Sequence, residues 1–135
     1  MRNIKQIRKN ILQQTVEYYE KHPRCITYYE GSDYKGDPTY EWGVVMYSGD
    51  SLGLTSEGCA IGRLLPTHIT NTIDQNYGEV GIHKIWHMLP DRIQSLGEDF
   101  LIELSCLHDN DKWWFKGKLS EEGKEFYEEL LLRFT

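Results

Sequence analysis

Apolar residues return every three or four positions over residues 3–21, at Ile4, Ile7, Ile11, Val16 and Tyr19 with Leu12 beside them, so an amphipathic helix is predicted there. Lys21, His22 and Pro23 close it with cations beside the last carbonyls and then a residue that cannot continue a helix. The period then changes. Residues 25–29 and 42–47 (WGVVMY) are rich in aromatic and β-branched side chains and read as an antiparallel hairpin over 25–47. Between them EGSDYKGDPTY carries turn chemistry at Gly31, Gly36, Asp37 and Pro38, and SGDSLGLTSEG after them is equally loop-like.

Helical spacing resumes in the second half. In GCAIGRLLP (58–66) the small residues Gly58, Ala60 and Gly62 alternate with apolar anchors before Pro66, the pattern of a short buried helix. Thr67 is placed to cap a turn through Ile69 and Ile73. Ile82, Ile85, Trp86 and Leu89 fall at i, i+3, i+4 and i+7 and predict one helix before Pro90, after which DRIQSL stops at Gly97. Phe100, Leu101, Leu104 and Leu107 predict a helix with Glu98 and Asp99 at its start, and HDNDKWWFKGK ends it, with Trp113 to Phe115 a short extended packing segment. Ser120 caps a last helix with Phe126, Leu130 and Phe134 on one face. The expectation is one helix-rich α+β domain over 1–135, about five helices with a small antiparallel β-hairpin on one side. Cys59, Ile61, Leu64, Leu101, Leu104, Leu107 and Leu130 are expected to share its core.

Composition narrows what such a domain does. The 135 residues suffice for one core without a staple, and no apolar run approaches the length that spans a bilayer, so a cytoplasmic protein with no membrane partner is expected. Cys25, Cys59 and Cys106 form no CxxC pair, which points to reduced thiols rather than a disulfide framework or a zinc knuckle. The net charge is -6, and four of the 15 basic residues (Arg2, Lys5, Arg8, Lys9) precede the first acid, Glu17. The acidic remainder disfavours nucleic acid, whose phosphates need clustered cations.

Several residues are candidates for chemistry. Cys59, in the first turn of the helix expected after Gly58, is placed to be stabilised as a thiolate, with His108 as base and Asp109 as its orienting group. A small buried cysteine and a hydrogen-bonded core histidine account for the same residues. Amides at that helix start, with Arg63 a turn on, would alternatively hold an anionic, nucleotide-like small ligand, although neither a Walker A loop nor GxGxxG is present. His83 and His87 lie a turn apart but lack the Glu of HExxH, so no metal is expected, and no cofactor is implied. The region 31–56 and the strands beside it present Tyr28, Tyr34, Tyr40 and Trp42 amid acids, a composition suited to contact with a protein surface.

Cys59, Ala60, Ile61, Gly62, Leu64 and Pro66, then Leu107, His108 and Asp109 at a helix end, then LSEEGK at 119–124, together resemble a pattern in small uncharacterised proteins of bacteriophages and prophages. The resemblance covers roughly the C-terminal 80 residues and implies a phage context without a particular activity. EGSDYKGDPTYEWG and the IHKIWH segment lie outside it. The leading expectation is a non-enzymatic phage- or prophage-type accessory protein that binds and modulates a host protein with a basic or mixed surface, inhibition of a defence system being one form of this. Tyr28, Tyr34, Tyr40, Trp42 and Arg63 are its expected contacts. The alternatives are a small cysteine-dependent hydrolase or transferase using Cys59, His108 and Asp109, and the anionic small-ligand binder.

Overall fold

Asn3 opens the first helix, its side-chain oxygen accepting the Gln6 amide at 3.3 Å, and α1 runs over Ile4–Tyr19. The amides of Lys21 and His22 fold back onto the Tyr18 carbonyl at 3.1 and 2.9 Å and end it. The computed structural model describes residues 3–22, 24, 26–32, 38–45, 59–76 and 82–135, the two strands within 26–45 and Thr67 by their backbone. Cys25, Tyr34 and residues 46–58 lie outside the described residues, so those parts of the expected hairpin and loops do too.

The strands β1 (Ile26–Ser32) and β2 (Pro38–Val45) pair antiparallel, from Ile26 opposite Val45 to Ser32 opposite Pro38, with a register irregularity between Tyr29 and Glu30. They reach further toward their turn than the composition indicates. Glu30, Gly31, Ser32, Thr39 and Tyr40, expected in a loop, belong to the ladder, and Pro38 sits at the first position of its strand, where a missing N–H is tolerated.

The segment after Gly58 departs from expectation. Cys59 and the following residues form a tight turn that leads into one 3-10 turn at Gly62–Leu64, not an α-helix start. Pro66 then leads into a true helix, α2 (Thr67–Asn76), in which the amides of Ile69 and Thr70 both bond the Pro66 carbonyl. The helix predicted over Ile82 to Leu89 is instead two 3-10 turns, Ile82–Lys84 and Trp86–Met88, broken at Ile85 (φ -115°, ψ 11°). Ile82, Ile85 and Leu89 are buried all the same. A stripe at i, i+3 and i+7 therefore marks an inward face without fixing which helix type presents it.

The short α3 (Asp91–Gln94) leads to α4 (Glu98–Asp109), which buries Phe100, Leu101, Leu104, Leu107 and His108. A second hairpin follows, β3 (Trp114–Phe115) and β4 (Lys118–Leu119). Its two turn residues, Lys116 (φ 51°) and Gly117 (φ 79°), are both left-handed, the conformation that matches the twist of tightly joined strands and that glycine adopts without strain. Ser120 caps α5 (Glu121–Phe134), its hydroxyl oxygen accepting the Gly123 amide at 3.0 Å.

Among the described residues the chain thus folds as five α-helices with two small two-stranded antiparallel sheets, β1–β2 being the larger. First and last helices pack together, and both touch α4. Arg8 ties the three: its Nε donates to the Leu96 carbonyl at 2.9 Å and its guanidinium lies over the rings of Phe100 and Phe134. Cys59, Ile61, Leu101, Leu104, Leu107 and Leu130 share one core as expected, while Leu64 is only partly buried against it. Among the described residues no helix is long and apolar enough to cross a membrane.

Candidate functional site

His108 occupies the last turn of α4 with a side chain 0% exposed. Its position one turn after Leu104 puts the ring on the inward face, where the edge of Tyr19 meets it with centroids 4.6 Å apart. Asp109, the next residue, turns back to hold Nδ1 at 2.6 Å. Burial drives the pKa of His108 below its ordinary value because the charged form would lose its water. The Asp109 contact and charge push the other way and lose, and Arg24 adds to the depression. The ring is thus a neutral imidazole oriented by a carboxylate.

Arg24 closes the end of this helix. One guanidinium nitrogen donates to the His108 carbonyl at 2.9 Å, another to the Asp111 carboxylate at 2.7 Å, and the group lies 5.8 Å from the Trp114 ring centroid. A carbonyl left over at a helix C-terminus is a natural seat for a cation. Arg24 lies two residues ahead of β1, so it joins the start of the long hairpin to the helical body. The Trp114 indole N–H donates to the Leu107 carbonyl at 2.8 Å and satisfies a neighbouring group of the same helix end.

On the other side of Tyr19 lies the turn at Cys59. Arg63 stacks over Tyr18 at 4.1 Å and stands 5.9 Å from the Tyr19 ring, while Tyr18 meets Tyr19 edge-on and stacks on His22. Arg63, Tyr18, Tyr19, His108 and Asp109 therefore form one continuous row from the CAIG turn to the end of α4. Cys59 is 6% exposed, and its sulfur accepts the Gly62 amide at 3.4 Å. Among the described residues no hydrogen bond joins Cys59 to His108. A three-residue 3-10 turn also lacks the aligned amides of an α-helix, so the thiolate stabilisation expected from a helix start is not built here.

The structure brings His108 and Asp109 together and links Arg63 to them through Tyr18 and Tyr19. Of the aromatic contacts, Tyr28 stands opposite Gly43, Trp42 opposite Tyr29, and Tyr40 opposite Glu30 in the β1–β2 register. Tyr34 lies outside the described residues. Sequence reasoning missed Tyr19, read only as core, and Arg24, whose partners lie 84 and 87 residues away. The weak signal for Arg24 was a cation just before a strand in an acidic chain. Cys106, the second cysteine among the described residues, is partly exposed. Burial raises its pKa above the ordinary thiol value, with Glu103 and Asp109 adding to the rise, which disfavours the thiolate. Among the described residues no group of three or more His, Cys, Asp or Glu is arranged to hold a metal ion. No protein-family model, no curated protein and no solved structure significantly matches this chain.

Proposed function

We propose that this chain is a cytoplasmic, non-enzymatic accessory protein of phage or prophage type that binds and modulates a host protein, with the β1–β2 hairpin as its contact element. The observation that carries the reading is that hairpin: Tyr28, Tyr29, Tyr40 and Trp42 fall on three neighbouring rungs of a two-stranded ladder. Arg24 fixes its base to the helical body. Tyrosine and tryptophan bury large areas for little rotamer entropy, and the two outer strand edges, unpaired among the described residues, offer backbone groups to a partner. Glu30 and Glu41 within the strands favour a partner surface that is basic or mixed. Inhibition of a host defence component is the form of modulation that suits a phage setting.

The test is capture from host lysate followed by affinity measurement on the retained protein. Tyr28→Ala, Tyr40→Ala and Trp42→Ala are each expected to weaken binding by about 1 to 2 kcal/mol or more while leaving the melting temperature nearly unchanged. Retention of no host protein, or hairpin variants that bind like the parent, would sink the proposal.

A cysteine hydrolase or transferase is the second reading, and the 2.6 Å contact of His108 with Asp109 favours it as a base with its orienting group. It requires the buried thiol of Cys59 and the ring of His108 to become accessible together. Fast alkylation of native Cys59 that is lost in His108→Ala would support it over the binding role; slow alkylation, accelerated only by unfolding, excludes it.

A further inference from the structure

Away from the hairpin, a groove of about 310 Å³ lies between α1, the 3-10 turn at Gly62–Leu64 and the segment around α3. Its walls are Ile4, Ile7, Ile11, Leu64, Ile93 and Leu96. The isoleucines of α1 stand at i, i+3 and i+7 and are only partly buried, so the helix keeps an apolar stripe that its own core does not finish covering. The polar lining is Arg92 and Ser95, both exposed, and among the described residues no acidic side chain lines the groove, in a chain with 21 acidic against 15 basic residues.

We infer that this groove binds a small aliphatic carboxylate, with the hydrocarbon chain along Ile4, Ile7, Ile11 and Leu64 and the carboxylate at Arg92. The volume is at the small end of ligand sites, which run from about 300 to 1,000 Å³ and are mostly apolar with a few polar groups that fix orientation. A guanidinium suits a carboxylate because its parallel N–H groups match the two oxygens. Arg92 is held in place by one of its nitrogens, which donates to the Leu64 carbonyl at 3.2 Å, so its charge is presented beside the apolar walls.

The groove's own polar groups argue against a peptide occupant. The Leu64 carbonyl accepts from Arg92, the Leu96 carbonyl accepts from Arg8 at 2.9 Å, and the Ser95 hydroxyl donates to the Arg92 carbonyl at 2.9 Å. A peptide laid here would have to satisfy its buried backbone N–H groups on carbonyls that each already accept one bond, whereas a hydrocarbon chain brings no such groups. The inference is independent of the protein-binding role proposed above.

Calorimetric titration of the full chain with hexanoate, octanoate and decanoate, each below its micelle concentration, tests it without any substitution. One-to-one saturable binding is expected, tightening about two- to fourfold for each added methylene. Decyltrimethylammonium, equal in chain and opposite in charge, should bind at least about tenfold more weakly. Arg92→Gln should erase the preference for decanoate over decanol, and decanoate should move the methyl NMR signals of Ile4, Ile7 and Ile11. Equal binding of the carboxylate and the ammonium, affinity independent of chain length, or methyl shifts confined to other residues would overturn the inference. So would the absence of any saturable heat.

Discussion

Of the two hairpins among the described residues, β1–β2 joins Ile26–Ser32 to Pro38–Val45 around a register irregularity, while β3–β4 pairs only Trp114 with Leu119 and Phe115 with Lys118. Two rungs cannot hold a hairpin in water. The short one persists because it is built into the body: Trp114 and Leu119 are buried, the indole is bonded to α4, and Ser120 immediately caps α5. The long one has ladder enough to keep its own register, and Arg24 is its described bond to the helices. A short hairpin owes its shape to what it packs on; a longer ladder adds the pairing of its own rungs to the bond at its base. That division leaves the long hairpin suited to carry contacts and the short one to hold helices in place.

The sharpest way to break this contrast is Trp114→Ala. It removes a buried aromatic, the bond to the Leu107 carbonyl and the ring beneath Arg24, and should cost about 3 to 5 kcal/mol in urea unfolding. A loss below about 1 kcal/mol would mean that the short hairpin is peripheral after all. Gly123→Ala comes next. In a helix this exchange usually stabilises by up to about 1 kcal/mol, but here a new Cβ would stand 2.0 Å from the Trp113 carbonyl oxygen and 2.8 Å from its carbon. Backbone must move, so a loss of about 1 to 3 kcal/mol is expected, and a rise in melting temperature would contradict the packing of α5 on the 3-10 turn Asp111–Trp113 that leads into the short hairpin.

Arg24→Ala should be milder, about 1 to 2 kcal/mol overall, because the Asp111 partner is well exposed and solvent screens it. Its effect should be local. Amide hydrogen exchange should quicken in β1 and β2 more than in α4, and uniform quickening would show that Arg24 serves the whole body rather than the hairpin.

The smallest expected effect is on pH. His108 stays neutral in the folded protein below the pH at which it would protonate when unfolded, so the unfolded chain binds more protons in that window. Stability therefore falls as pH drops below about 6.5, by at most about 1.4 kcal/mol per unit from this group, until the depressed folded pKa is reached. His108→Gln should remove that part of the slope between pH 6.5 and 5. An unchanged slope would assign it to other groups.

What the sequence made legible was what neighbours along the chain determine. The α1 stripe, the Ser120 cap and the burial of Phe100 to His108 all follow from local spacing and chemistry. Ile82 to Leu89 misled because apolar spacing records which residues face inward, and two 3-10 turns can meet that demand as well as one helix. The extended run at Trp113 to Phe115 was readable, but its pairing with Lys118–Leu119 was not, because two rungs give no alternation to detect, although Lys-Gly between WWF and KL was a turn signal. Within the candidate site, adjacency made the His108 and Asp109 pair readable. Tyr19 and Arg24 were not, since what they do depends on groups more than 80 residues away.

The bond from Arg24 to the His108 carbonyl spans 84 residues of chain, and that span has a consequence in time. During synthesis at about 5 to 20 residues per second, the β1–β2 segment leaves the ribosome several seconds before its anchor has been made. In that interval the aromatic ladder can form on its own rungs but has no helix end to dock on, and its unpaired strand edges face whatever is nearby. The nascent chain is then most exposed to mispairing, and a partner able to take up the hairpin early would shield it until α4 arrives.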